Sequence, residues 1–120
     1  MSGDTKPCDA LIEASRGADV LVHEVFQHGR SREPSGTRTA QSIEQVESYH
    51  TLSTVVGDIA RKADVGALIL THLVPPDADP DSLIEDARQG YGGFVAVGED
   101  LMRIDVARRR VAWRQANIGF

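Results

Sequence analysis

Residues 63–73 read Ala-Asp-Val-Gly-Ala-Leu-Ile-Leu-Thr-His-Leu, and this stretch decides the fold class. Ala67 to Leu70 is apolar without alternation, the pattern of a strand buried on both faces. The segment before it has a different period. Leu52, Val55, Val56, Ile59, Ala60 and Ala63 recur at helical spacing and make one apolar face. Downstream, Val74-Pro75-Pro76 stops the strand, which is expected to end at His72. Asp79 then caps a second helix with Pro80 in its first turn, carrying Leu83, Ile84 and Ala87 and stopped by Gly90. Phe94-Val95-Ala96-Val97 follows as another strand.

The same alternation extends to the start of the chain. Thr5 is expected to cap a short helix with Pro7 in its first turn and Ala10, Leu11, Ala14 and Ala18 on its apolar side, ended by Gly17. Asp19 to Phe26 begins as another buried strand, the first in chain order. Residues 27–42 are polar, with Gly, Pro and Ser, and read as a long exposed loop of the kind that is usually functional. Leu101 to Val106 reads as a strand, with Val111-Ala112-Trp113 pairing back as a hairpin. Alternating helices and buried strands predict an α/β sandwich with strands at least partly parallel. In such sheets ligands collect at the carboxyl ends of the strands.

Bulk composition narrows the class. A chain of 120 residues with 41% hydrophobic content suits one domain. A net charge of −5 gives no electrostatic case for a nucleic-acid or membrane surface over the whole chain. The one basic run, Arg108 to Arg110 with Arg114 beyond it, reads as a solvated edge. The single cysteine, Cys8, excludes an internal disulfide and reads as a small buried residue of a reducing compartment. No charged-then-apolar leader and no membrane-length run is visible, so a cytoplasmic location is expected.

Four polar residues stand where the predicted elements begin or end. Asp4 lies in a Ser-Gly-Asp-Thr turn, Glu24 is late in the first strand, His50 precedes the amphipathic helix, and His72 follows the second strand. Singly each has an ordinary structural reading, as a turn residue, a surface residue or a hydrogen-bonded histidine. Glu24 is the exception, because a carboxylate on an apolar strand is costly without a donor, and a histidine is a natural one.

Jointly, S-G-D-T at residues 2–5, V-H-E at 22–24, Y-H-T at 49–51 and L-T-H-L at 70–73 resemble the second half of the metallo-β-lactamase fold, nearest its ribonuclease Z and arylsulfatase-like branch. The resemblance covers residues 2–106, leaving 107–120 as a terminal strand or tail. It implies half of an αββα sandwich, a mixed sheet with helices packed on one face. It also implies a hydrolase that activates water at two zinc ions and acts on phosphodiester or sulfate-type ester bonds. By the same resemblance Asp4 bridges the metals, His72 is a terminal ligand, and Glu24 orients His50, which meets the scissile group. His23 is expected to be structural and His28 a loop residue.

The chain departs from that pattern. The family's H-x-H-x-D-H motif is absent, and Val25-Phe26 and Thr51-Leu52 differ from the ribonuclease Z preference. The resemblance therefore implies a C-terminal portion with weak zinc retention by itself. Expected partners are a small-molecule or RNA ester substrate, and a second copy of the chain or a missing N-terminal half. The alternative is a non-catalytic α/β module that dimerises. A receiver-like domain fits poorly, lacking the acidic pair after a first strand and the late lysine.

Overall fold

The computed structural model describes residues 1–27 and 48–120. In chain order these form α1 (Asp9–Ser15), β1 (Leu21–Phe26), α2 (Ser53–Lys62), β2 (Ala67–Val74), α3 (Pro80–Gly90) and β3 (Phe94–Val97), then β4 (Arg103–Asp105), β5 (Arg110–Trp113) and β6 (Ala116–Gly119). Parallel and antiparallel pairing are both present. They divide between a parallel sheet ordered β1-β2-β3 and an antiparallel sheet ordered β4-β5-β6.

The apolar run at Ala67–Leu70 becomes the central strand of the parallel sheet because both its faces are covered. All four residues are buried. Leu68 and Leu70 share a face with Leu21, Val25 and Val95, and this face carries the main core beneath the helices. Val56, Ile59, Ala60 and Ala63 supply the α2 side of that core and are almost wholly buried. Burying one Val or Ile contributes roughly 1.5–3 kcal/mol, so this stripe anchors α2 to the sheet.

Helices α2 and α3 touch backbone to backbone. A Cβ on Gly57 would lie 2.0 Å from the Ala87 carbonyl oxygen, and one on Gly90 would lie 2.8 Å from the Asp58 nitrogen. Glycine is needed there for the close approach. Ser53 Oγ donates to Asp86 Oδ2 at 2.6 Å and ties the start of α2 to α3. Asp79 caps α3 as expected, its side chain accepting from the Ser82 amide, with Pro80 beginning the helix.

Several expectations need correction. Helix α1 starts at Asp9 with Cys8 as its N-cap, and Thr5 is not the cap. Lys6 precedes Pro7, where helical backbone is disfavoured, and the Thr5 carbonyl serves another contact described below. Cys8 is exposed, because a capping position faces solvent here. Strand β2 continues through His72 to Val74. Strand β4 is shorter than expected, since Met102 closes a turn onto Glu99 and Leu101 is left-handed. Strand β6 was not expected at all. It is exposed along its length, so no hydrophobic alternation announces it.

The basic run is held locally. Arg108 pairs with Asp105, Arg109 donates to the Phe120 carbonyl while covering its ring, and Arg110 bonds Asn117. The expected loop at 27–42 and His28 lie, from residue 28 on, outside the described residues. No helix among the described residues is long and apolar enough to cross a membrane.

Candidate metal and catalytic site

All four residues singled out in the sequence meet at the carboxyl rim of the parallel sheet. Asp4 reaches the rim because Ser2 pairs in parallel with His23, its amide donating to the Val22 carbonyl at 2.9 Å. The chain then turns outward at Asp4, whose φ of 44° is left-handed. Aspartate tolerates that region better than most residues, since its short side chain can bond locally. Gly3 is not the left-handed residue of the turn.

His72 arrives by a different device. Glu24 pairs with Thr71 and Val25 with Leu73, so His72 is an extra residue, a bulge in β2. Its φ is also 44°. A bulge re-aims one side chain without ending the strand, and here His72 Nδ1 comes within 2.9 Å of Asp4 Oδ1. Both side chains are open to solvent, 67% exposed for Asp4 and 52% for His72.

Glu24 and His50 form the inner layer. Glu24 is completely buried, and both its oxygens are engaged. The Thr51 amide donates to Oε1 at 2.6 Å, and His50 Nδ1 lies 2.9 Å from Oε2. A carboxylate can only accept, so the proton sits on His50 Nδ1 and leaves Nε2 as the free ring atom. Phe26 stacks on the His50 ring with planes 13° apart, and His72 meets that ring edge-on at 5.7 Å between centroids. The His50 side chain is 12% exposed, between the closed Glu24 and the open Asp4.

Thr51 is the residue that the sequence reading missed. Besides its amide contact, its hydroxyl donates to the Thr5 carbonyl at 2.6 Å. It thereby ties the Ser-Gly-Asp-Thr turn to the His50 segment, and its place directly after His50 was the only available signal.

His23 is fully buried on the helix-facing side, its Nδ1 hydrogen donated to the Glu24 carbonyl. Its Nε2 has no hydrogen-bond partner among the described residues. Burial pushes its pKa below the ordinary imidazole value, with the Glu24 carbonyl opposing in part. It is a neutral core group, as expected.

Asp4, His50 and His72 each offer a ligand atom, all within 4.8 Å of one another. One carboxylate oxygen and imidazole nitrogens suit a borderline divalent cation. The open outer layer admits an ion from solvent, so these residues fit a metal. The described residues alone bring few donors to it.

No family model matches the chain. A ribonuclease Z from Myxococcus xanthus is 36% identical over 110 residues, 91% of this chain and 33% of that protein. Ribonuclease Z from Methanosarcina mazei is 37% identical over 109 residues, covering 90% and 32% respectively. Ribonuclease Z of Mycobacterium tuberculosis is 34% identical over 113 residues, covering 92% and 40%. Among solved structures, the metallo-β-lactamase fold protein YhfI from Bacillus subtilis superposes with a TM-score of 0.61 at 27% identity, over 81% of this chain and 35% of that one. The chain thus spans a third to a half of the relatives it matches. By sequence it is similar to part of ribonuclease Z, and by fold to part of a metallo-β-lactamase fold protein.

Proposed function

We propose that this chain supplies the Asp4–His72 and Glu24–His50 parts of a metal-dependent hydrolase that cleaves RNA phosphodiester bonds. The observation that carries the reading is the two-layer arrangement. A buried carboxylate fixes one histidine, while a second carboxylate and histidine face solvent beside it. The ribonuclease Z relatives favour RNA over a sulfate ester.

Asp4 and His72 would hold a zinc ion, completed by donors outside the described residues or from another chain. When bound, such an ion supplies Lewis acidity and makes a water more acidic. The remaining chemistry belongs to this chain. Glu24, held by the Thr51 amide, keeps the His50 Nδ1 proton in place and directs Nε2 outward. In protonated form, Nε2 donates to a phosphoryl oxygen and releases its proton to the departing oxygen. The phenyl ring of Phe26 lies nearly parallel to the imidazole with centroids 6.3 Å apart and walls that side of the site. The assembly that goes with this reading is a homodimer or a pairing with another chain, in the cytoplasm.

The test is hydrolysis of a single-stranded RNA and of bis(p-nitrophenyl) phosphate, with zinc content measured on the same sample. Expected is chelator-sensitive cleavage that His50→Ala reduces by about 100-fold or more. Cleavage indifferent to chelation or to His50→Ala overturns the reading, as does absence of cleavage by a chain that retains zinc.

A further inference from the structure

At the carboxyl end of the parallel sheet that carries the four-residue cluster, a cleft of about 490 Å³ opens between Glu99, Asp100 and Leu101 on one side and Trp113 and Arg114 on the other. It lies on the same rim. The Gly98 amide donates to the Leu70 carbonyl at 2.7 Å, so the Glu99 wall hangs from the strand that presents His72 two residues later. None of these five residues takes part in the chemistry above.

The walls have distinct characters. The Arg114 guanidinium lies over the Trp113 ring with Cζ 4.1 Å from its centroid, a flat stacked pair. Arg114 Nη2 is 3.7 Å from Glu99 Oε2, an exposed ion pair across the cleft. Leu101 is 93% exposed and left-handed, an apolar side chain held out at the mouth. Two carboxylates against one guanidinium make the cleft unfavourable for a phosphate. They suit a flat, neutral ligand that offers hydrogen-bond donors. Unstacked bases bind on aromatic rings and arginine planes, and a carboxylate accepts from an exocyclic amino group.

We propose that this cleft is a subsite for a nucleobase carrying an exocyclic amino group, stacked on the Trp113–Arg114 pair and read by Glu99 or Asp100. The inference rests on the RNA reading above and names the chemical class of the substrate part that the cleft takes. A base seated there adds sequence selectivity, because phosphate contacts position a strand while base contacts specify it.

Trp113 is the only tryptophan in the chain, so its fluorescence reports this cleft without any requirement for activity. The probes are cytidine, uridine and ribose 5-phosphate, excited at the red edge of the indole band where nucleosides do not absorb. The expected result is saturable quenching by cytidine, at least about 5-fold weaker binding of uridine, which lacks the amino donor, and none with ribose 5-phosphate. Arg114→Ala and Arg114→Lys should both weaken cytidine binding by about 10-fold, since stacking needs the planar group and not the charge alone. Quenching by ribose 5-phosphate equal to that by cytidine overturns the proposal. So does the absence of cytidine quenching, equal binding of uridine, or undiminished binding in both Arg114 variants. The hydrolysis assay fails or succeeds separately, so loss of the RNA-cleaving reading and loss of the subsite are distinguishable.

Discussion

His72 Nδ1 lies 2.9 Å from Asp4 Oδ1, and both residues reach that distance on left-handed backbone. Neither is glycine, and each such residue costs of order 1 kcal/mol. The β2 bulge and the Ser-Gly-Asp-Thr turn converge on one point at the rim, where an ion can sit between carboxylate and imidazole. The pair is solvent-open, so it contributes little to the stability of the chain.

Replacing Asp4 or His72 by Ala should therefore separate metal affinity from folding. Zinc affinity, followed by isothermal titration, should fall by about 10-fold or more for either variant, because each removes a direct donor. Unfolding free energy in urea should stay within about 0.5 kcal/mol of the parent, as for other surface substitutions. Unchanged zinc affinity in both variants would remove them from the metal site.

Glu24→Gln should behave in the opposite way. The buried amide can accept at one oxygen only, so either the Thr51 amide or His50 Nδ1 loses its acceptor. The expected loss is about 1–3 kcal/mol of stability, read by urea unfolding. The His50 ring should also cease to hold its proton on Nδ1 alone, which nitrogen-15 chemical shifts of the imidazole report. A stable variant with an unchanged His50 tautomer would contradict the clamp.

Gly57→Ala tests the contact between helices. Its new Cβ would sit 2.0 Å from the Ala87 carbonyl oxygen, so α2 and α3 must separate. Overpacking of this kind costs about 1–3 kcal/mol. Gly92→Ala serves as the control, since nothing lies within 4 Å of its added carbon, and it should leave the thermal midpoint nearly unchanged.

His23 gives the fold a dependence on pH. Burial lowers its native pKa below the ordinary value of 6.5 that it regains on unfolding. Below that value the unfolded chain binds more protons than the native one, so stability rises with pH toward 6.5 and levels off above it. Acidification should therefore weaken the fold progressively from pH 6.5 downward. Urea midpoints of the parent and of His23→Gln between pH 5 and 8 check this. The slope below 6.5 should be smaller in the variant.

Local chemistry made much of this protein readable in one dimension. Helical spacing from Leu52 to Ala63, unbroken apolarity at Ala67–Leu70 and the Asp79-Pro80 cap each act over a few residues, and all three elements form where expected. The four rim residues were singled out jointly, by the resemblance of their motifs to a known fold; taken singly, only Glu24, a carboxylate on an apolar strand, was an unusual placement. Long-range pairing governed the rest. Whether β2 stops at His72 or bulges there depends on β1 alongside it. Thr51 becomes a clamp only because Glu24 and Thr5 arrive from other segments. Gly57 is indispensable only once α3 lies against it. β6 has no pattern of its own and exists as the partner of β5. Periodicity and capping specify elements, whereas the aim of a side chain into a shared site is set by contacts that only the packed chain can make.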